Sequence, residues 1–342
     1  MKSGRVTALA AVAATSLFLG ACQVGSSPEP GPEMGNAVAT VSPASENPAG
    51  RVIDLPSDYA EISDMELAGD VLGLRSGARL VVGTVAAFDA GSATSFEVPD
   101  SCADLTATGD TFVLACGDEV MLIDAAVPTT VTTIAVSEIA PVASASLTGT
   151  GELIAGSADT DKVAVYRDGE DPEVITVAGP TTQLLTVPVN GAADVAVRTN
   201  LPNTTIQDIH WEKKAQGGTL RVGVGLGQIA GGEDGLVVAS DTMGDQIAIY
   251  TATDVIRLHQ THPVDDSPWG VAWDSGRDLA LITSTATNTL TGFSIAQGVP
   301  EEEISLSTIA NAHHLVVLPT GTVVVASASG DGLQIIDDLE GA

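Results

Sequence analysis

Histidine and aspartate residues in the last third of the chain are the first candidates for chemistry. The segment His262–Trp269 contains Asp265 and Asp266, and the pair His313 and His314 follows further along. Imidazole and carboxylate groups bind divalent cations such as Zn²⁺, Mn²⁺ and Ca²⁺, so these side chains could form a site for a metal or a cationic ligand. Alternatively, the aspartates form tight turns beside two histidines that line a channel, because their spacing matches no motif such as HExxH.

A repeat of about 42 residues runs through most of the chain and must position these side chains. Each unit contains three or four short apolar strands bounded by turn residues, with almost no helical periodicity. One turn glycine recurs in every unit, at Gly69, Gly109, Gly151, Gly191, Gly235, Gly276 and Gly321. Seven such units predict an all-β fold, a seven-bladed β-propeller whose blades surround a central channel.

The third strand of several units carries a pattern that resembles a known group of propellers. These strands alternate and end in a polar residue, as in Val120–Asp124, Val163–Tyr166, Ile247–Tyr250 and Leu333–Asp337. Because no Trp-Asp dipeptide closes any of these third strands, the pattern resembles YVTN/NHL-type propellers more than WD40 propellers. The resemblance covers roughly residues 51–338 and implies a fold, not an activity.

The ring is expected to close through its N-terminal strand. The segment Arg51–Leu55 resembles an outer strand such as Glu303–Ser307, whereas the seventh unit lacks an outer strand of its own. We therefore predict that the N-terminal strand completes the last blade, so that neither sheet edge is left unpaired. The propeller domain is predicted to span 51–342.

Aligned turn glycines also identify the residues at the mouth of the channel. In a propeller, the loops that precede the innermost strands share one face with the loops between second and third strands. This alignment places Trp269, His314 and Gln228 at the channel mouth, as candidates for ligand binding. Propeller enzymes such as lactonases line their channels with acidic and amide groups, which makes formal candidates of Asp64, Glu66, Asp104 and Asp274. No GxSxG nucleophile elbow is present, and we assign no catalytic residue.

Two of the three cysteines are expected to form a disulfide. Cys102 and Cys116 each lie seven residues from Gly109, which makes them direct neighbours across a hairpin. An exported protein meets an oxidising compartment, where such a pair forms a disulfide. The alternative is two buried thiols that face each other.

The first residues have the organisation of an export signal. Lys2 and Arg5 precede the apolar stretch Val6–Phe18, which is long enough for a signal peptide and too short to span a bilayer. The sequence Leu19–Cys22 then resembles the lipobox of bacterial lipoproteins. This resemblance implies that residues 1–21 are removed and that Cys22 carries diacylglycerol and further acyl chains such as palmitate, which together anchor a protein stably. The alternative is an ordinary secretory peptide cleaved near Ala21.

The segment after Cys22 is interpreted as a tether. In 22–50, Pro, Gly and Ser are abundant and Lys and Arg are absent, which predicts a flexible, extended segment. A lipobox combined with a propeller also resembles the LppL-type lipoproteins of actinobacteria. That resemblance implies an exported protein anchored to the outer face of the bacterial cytoplasmic membrane.

Charge limits the classes of partner. With 44 acidic and 13 basic residues the chain has a formal net charge of −31, which argues against nucleic acid as a main partner and leaves the lipid as the expected membrane contact. The sequence favours a binding or scaffolding module for envelope proteins or a small ligand over an enzyme. The alternative is a lactonase-like hydrolase with a divalent metal, Ca²⁺ or Zn²⁺, at the channel mouth, and no other cofactor is expected.

Overall fold

The computed structural model describes residues 34–339, which are built almost entirely of short β-strands. The first half of the chain forms β1 Arg51–Ile53, β2 Asp64–Ala68, β3 Val71–Ser76, β4 Arg79–Gly83, β5 Thr94–Glu97, β6 Cys102–Thr108, β7 Thr111–Cys116, β8 Glu119–Asp124, β9 Val131–Ala135, β10 Val142–Leu147, β11 Leu153–Ser157, β12 Lys162–Tyr166, β13 Glu173–Thr176 and β14 Leu184–Val187. The second half forms β15 Val195–Asn200, β16 Thr205–His210, β17 Ala215–Arg221, β18 Leu226–Gly231, β19 Leu236–Asp241, β20 Gln246–Thr251, β21 Arg257–Pro263, β22 Pro268–Asp274, β23 Leu279–Ser284, β24 Thr289–Ser294, β25 Glu301–Ser307, β26 Ala312–Val317, β27 Val323–Ser327 and β28 Leu333–Ile336. A short helix α1, Val85–Asp89, and one 3₁₀ turn, Trp211–Lys213, interrupt the strands. No helix within the described part of the chain is long and apolar enough to cross a membrane.

The strands form seven antiparallel sheets of four strands each, which confirms the predicted seven-bladed β-propeller. Six blades consist of four consecutive strands, beginning with β2–β5 and ending with β22–β25. The seventh blade contains β26, β27 and β28, and its outer strand is β1. Arg51 pairs with Ile335 and Ile53 pairs with Leu333. The predicted closure of the ring by the N-terminal strand is therefore confirmed.

Apolar clusters between neighbouring blades form the core. The middle strands are covered on both faces, so every residue of β11, β19 and β27 is buried. Strands buried on both faces have continuous apolar runs rather than an alternating pattern, as Val323–Ser327 illustrates. Six of the seven turn glycines, all except Gly276, adopt a positive φ; Gly69 and Gly109, for example, have φ values of 62° and 56° in the hairpins after the innermost strands.

Residues 34–50, here called the strap, lie across the upper face of the propeller, the face at which the innermost strands begin. The backbone N–H of Thr40 donates to Ser267 Oγ at 2.9 Å, and that of Ser42 donates to Asn311 Oδ1 at 2.9 Å. Further along, the side-chain amide of Asn288 donates to the carbonyl of Pro43 at 2.9 Å. The strap thus connects the loops of several blades before the chain enters β1.

This part of the predicted tether is therefore bound to the propeller rather than free. Ala37 and Ala39 of the strap are buried while Val38 between them is exposed, so the extended segment has an inner and an outer side. Its small residues permit close approach, and loop side chains satisfy its backbone groups. The remaining part of the tether, 22–33, and the predicted signal peptide, 1–21, lie outside the described residues.

Candidate functional site in the central channel

The innermost strands of the seven blades enclose a cavity of about 280 Å³ along the propeller axis. Polar residues on the upper halves of these strands face into it. Its lining includes Asp64, Glu66, Asp104, Gln183, Gln228, His313 and His314. The structure therefore brings together three of the four acidic channel candidates and two of the three channel-mouth candidates.

Three carboxyl groups form one wall of the cavity. Asp64 and Glu66 are two residues apart on β2 and face the same side of the strand, and Asp104 lies on the adjacent innermost strand β6. Asp64 Oδ2 accepts a hydrogen bond of 2.8 Å from the backbone N–H of Leu105. Asp104 Oδ2 accepts one from the hydroxyl of Ser144 on the next blade. These bonds connect neighbouring blades and hold the carboxyl groups in place.

Burial strongly perturbs the ionisation of this wall. It raises the pKa of Asp64 to about 6, because desolvation outweighs the hydrogen bond from Leu105 and the nearby charge of Arg75. Burial also raises the pKa values of Glu66 and Asp104 well above the usual range for carboxyl groups, and the negative charge of Asp64 adds to both shifts. Glu66 and Asp104 thus retain their protons to higher pH than ordinary carboxyl groups.

Arg75 on β3 is the cation that faces these carboxyl groups. Its guanidinium donates to the carbonyl oxygens of Ala103 and Gly77, the latter at 3.0 Å. Burial lowers the pKa of Arg75, and the charges of Asp64 and Asp104 act in the opposite direction. Sequence reasoning missed Arg75, because it lies on a second strand, which the repeat pattern assigns to the core between blades.

Two imidazoles lie at the upper end of the cavity, beside an indole that is not part of its lining. The ring of His313 is 5.5 Å from that of Trp269 and 6.4 Å from that of His314. Burial, followed by the proximity of His313, lowers the pKa of His314 to about 3, and burial also lowers the pKa of His313. At neutral pH a neutral imidazole therefore faces the carboxyl group of Asp64, with 3.9 Å between His314 Nδ1 and Asp64 Oδ1.

Two amide side chains face the carboxyl wall from the blades across the channel. Gln183 Nε2 donates to Gln228 Oε1 at 2.6 Å, and both amides line the cavity. Sequence reasoning missed Gln183, which directly precedes β14. The repeat spacing points instead to its neighbour Leu184, which lies forty residues after Ser144 and eighty after Asp104, so this signal does not single out Gln183.

The five predicted metal ligands occupy two separate places. His262 lies on the outer strand β21, where its ring packs 5.2 Å from that of Phe293, and Asp265 Oδ2 accepts a hydrogen bond of 2.8 Å from Thr289. His313 and His314, by contrast, lie on the innermost strand β26. Aligned turns identify the face of the propeller but not the distance from its axis, which explains the separation.

Asp266 of the same predicted set is exposed on the loop before β22. Within residues 34–339, no group of three or more His, Cys, Asp or Glu side chains is arranged to hold a metal ion. The fourth acidic channel candidate, Asp274, is buried outside the channel, where it pairs with Arg277 at 2.7 Å and caps a turn.

The predicted disulfide is confirmed. Cys102 and Cys116 are direct partners in the register of β6 and β7, and their sulfur atoms are bonded at 1.99 Å. The bridge joins the first two strands of the blade that carries Asp104, two residues from that carboxyl group. The predicted lipid attachment site, Cys22, lies outside the described residues.

Comparison with known proteins supports the fold. No protein-family model matches the chain, and no curated protein matches it significantly.

Among solved structures, a streptogramin B lyase has a TM-score of 0.65 at 13% identity, covering 85% of this chain and 98% of its own. The mitotic checkpoint complex contains a chain with a TM-score of 0.65 at 14% identity, covering 94% of this chain and 98% of its own. The Pan2 WD40 domain of Neurospora crassa has a TM-score of 0.62 at 9% identity, covering 86% and 97%. The fold is that of a β-propeller. At these identities the likeness concerns the fold alone.

Proposed function

We propose that this protein is a binding module whose ligand is a small polar molecule held in the central channel. The observation that carries the proposal is the wall formed by Asp64, Glu66 and Asp104, whose pKa values are raised by burial. Burying ionisable groups opposes folding, and apolar side chains of similar size would fill the channel at no such cost. Perturbed carboxyl groups around a cavity are typical of ligand sites.

The donors and acceptors around the cavity indicate the class of ligand. A protonated carboxyl group donates a hydrogen bond, the ionised Asp64 accepts, and the amides of Gln183 and Gln228 do both. The net charge of −31 disfavours an anion. A neutral or cationic molecule with several hydroxyl, amine or amide groups, such as an amino sugar, fits these properties and the volume of about 280 Å³.

Thermal shift and calorimetry on the full chain test this proposal. The probes are glucosamine, N-acetylglucosamine, glucose and arginine, with citrate as the anionic comparison. We expect at least one neutral or cationic probe to stabilise the protein, with binding weakened at least tenfold by Asp104→Asn and Glu66→Gln. Asp266→Asn, which removes an exposed carboxylate outside the channel, is the matched control. Stabilisation by citrate alone, or equal weakening in all three variants, would contradict the proposal.

A channel enzyme is the second candidate function, and the different ionisation of the carboxyl groups favours it. Asp64, with a pKa raised to about 6, can act as a base, while Asp104 keeps its proton to higher pH and can act as an acid. The lactonase-like hydrolase with a bound Ca²⁺ or Zn²⁺ is one form of this candidate. Elemental analysis of the purified protein and ester or lactone hydrolysis by the wild type and Asp64→Asn test it, and turnover lost in the variant would favour the enzyme.

We also propose that the protein is exported and anchored by a lipid on Cys22, as in the actinobacterial LppL-type lipoproteins. The lipobox-like sequence Leu19–Cys22 supports this assignment. Because the strap begins at Met34, the chain between Cys22 and the propeller can extend at most about 40 Å. Alkyne-palmitate labelling and membrane fractionation of the wild type and Cys22→Ala test the anchor. Label retained in the variant, or wild-type protein found only in the medium, would contradict it.

A scaffolding role for envelope proteins belongs to the same proposal. WD40 propellers are among the structures that this chain resembles in fold, and a rigid ring with variable loops suits protein binding. Cross-linking in intact cells followed by mass spectrometry tests this role, with residues of the strap-bearing face as the attachment points. Cross-links confined to the opposite face would contradict a partner on the strap side.

A further inference from the structure

A second cavity, of about 150 Å³, lies on the opposite face of the propeller from the strap, between the fourth and fifth blades. Asp208 and His210 at the end of β16 line it, together with the following 3₁₀ turn. Ala252–Asp254, in the loop after β20, form its other side. This space, here called the 4/5 cleft, is separate from the central channel.

Asp208 is the unusual residue of the 4/5 cleft. It is only 2% exposed, and neither of its carboxylate oxygens has a hydrogen-bond partner among the described residues. The strand pairing of β16 with β17 is irregular at this position, and Gly217 and Gly218 lie against the carboxylate. A Cβ atom at Gly217 would overlap both oxygens. The local sequence thus leaves room for a buried carboxylate that has no donor.

His210 is the titratable group nearest to Asp208. Its Nε2 lies 3.5 Å from Asp208 Oδ2, and its side chain is 28% exposed, towards the mouth of the cleft. The two residues are two apart on β16 and so point to the same side of the strand. A carboxylate at the base and an imidazole nearer the mouth form one polar surface in the cleft.

The other charged groups around the cleft have different partners or are exposed. Asp194 Oδ2 accepts a hydrogen bond from Gly149 N at 2.6 Å, and its carbonyl oxygen accepts one from the indole of Trp211. Asp254 pairs with Arg257 at 3.1 Å. Glu212 and Lys213 lie at the exposed rim. None of these contacts supplies a donor to Asp208.

We propose that the 4/5 cleft binds a divalent first-row transition-metal ion such as Mn²⁺ or Zn²⁺, with Asp208 and His210 as its protein ligands. An isolated buried carboxylate is strongly unfavourable, and a bound cation would compensate its charge. Ions of this class accept both carboxylate oxygen and imidazole nitrogen. Water molecules would complete the coordination shell, as is usual for sites with few protein ligands.

Calorimetry with Mn²⁺ and Zn²⁺ on the chelator-treated full chain tests the proposal, in 0.3 M NaCl to screen the many surface carboxylates. We expect one site per chain, weakened at least tenfold by Asp208→Asn and by His210→Gln. Gly217→Ala should also weaken it, because the added methyl group displaces the carboxylate without removing a ligand. The matched controls are Asp254→Asn at the rim and His259→Gln on an outer strand, and both should bind as the wild type does.

Unchanged affinity in Asp208→Asn and His210→Gln would overturn the proposal, because the metal would then bind surface carboxylates. A wild type that binds no metal and is stabilised by Asp208→Asn would overturn it as well, since the buried carboxylate would then have no bound cation to compensate its charge. If Asp208→Asn does not fold, His210→Gln and Gly217→Ala decide the question, since neither alters the buried charge.

Discussion

Replacing Asp64 by asparagine should stabilise the protein at neutral pH and have little effect at acid pH. The side chain of Asp64 is 17% exposed, and burial raises its pKa to about 6 despite the charge of Arg75. An asparagine has nearly the same shape and can still accept the hydrogen bond from Leu105 N through its amide oxygen. The substitution therefore removes the buried charge and keeps the geometry of the channel wall.

The expected magnitude follows from the difference between the folded and unfolded pKa values. An unperturbed aspartate has a pKa of about 3.9, and each pKa unit corresponds to about 1.4 kcal/mol. Because the folded-state pKa of Asp64 is the higher one, its contribution to stability is full below about pH 4 and is lost as the pH rises through 6. Over this range the free energy of unfolding of the wild type thus falls by about 3 kcal/mol, whereas that of Asp64→Asn does not. This difference corresponds to roughly 6 °C in melting temperature for a domain of this size.

The assay is reversible urea unfolding of the wild type and Asp64→Asn at pH 4.0, 5.0, 6.0 and 7.5. His314, with a pKa lowered to about 3, adds a slope of opposite sign, because the unfolded chain takes up its proton between pH 3 and 6.5. Asp64 is not among the causes of that shift, so the slope is common to both proteins and cancels in their difference. The charge of Asp64 also raises the pKa values of Glu66 and Asp104, so its removal lowers them and adds to the stabilisation of the variant at neutral pH. Two parallel stability curves, or a variant less stable than the wild type at pH 7.5, would show that Arg75 compensates the charge of Asp64 and would refute the reasoning. Asp266→Asn controls for the change in net charge.

Three further predictions concern the architecture that supports the channel. Deleting residues 51–56 should lower the free energy of unfolding by more than about 3 kcal/mol, because it exposes the edge of β28 and removes Ile53 from the core; urea unfolding measures this, and an unchanged midpoint would contradict it. Reducing the Cys102–Cys116 bridge, whose sequence separation is 14 residues, should lower the free energy of unfolding by about 3 kcal/mol. Melting curves with and without dithiothreitol measure this loss, and an equal response to dithiothreitol in a double serine variant would contradict the prediction. Arg198→Met should destabilise by about 1–3 kcal/mol, because it leaves the carbonyl oxygen of Gly179 without its side-chain donor; a loss below 1 kcal/mol in urea unfolding would be inconsistent with that bond.

Most of the fold could be predicted because it depends on local signals that repeat. A hairpin after each innermost strand needs a turn, and residues such as Gly69 and Gly109 provide a positive φ there. The middle strands are buried on both faces, which gives them recognisable apolar runs such as Val323–Ser327. Both signals are contained within a few residues of sequence, so their period reveals the number of blades.

The strap could not be predicted in the same way, because its contacts are made with distant residues. The segment 34–50 has the composition of a flexible linker, and that composition describes the chain in isolation. Its order comes from hydrogen bonds such as those of Thr40 with Ser267 and Ser42 with Asn311, which are separated by 227 and 269 residues in sequence. Pairs of this kind leave no periodic pattern.

The candidate site was predicted in part. The distance of each residue from the propeller axis explains which of the candidate residues lie together and which do not. Asp64, Glu66 and Asp104 were candidates because propeller enzymes line their channels with acidic groups, and the structure brings them together on innermost strands. His262 was grouped with His313 because both follow from aligned turns, yet they lie on an outer and an innermost strand. A turn alignment contains no information about distance from the axis, so it could not separate them.

The symmetry of the propeller offers a way to distinguish architecture from function. A residue that the architecture requires should recur at the equivalent position of most blades, as the turn glycines do. Positions 64, 104, 144 and 184 are forty residues apart, yet they hold Asp, Asp, Ser and Leu. Asp208, with Gly217 beside it, likewise lies at an irregularity of its own blade. Because a ring of seven blades closes without these carboxyl groups in the other blades, the fold does not explain them. Buried charge that the fold does not require needs another reason to persist, and the binding of a ligand at each place provides one.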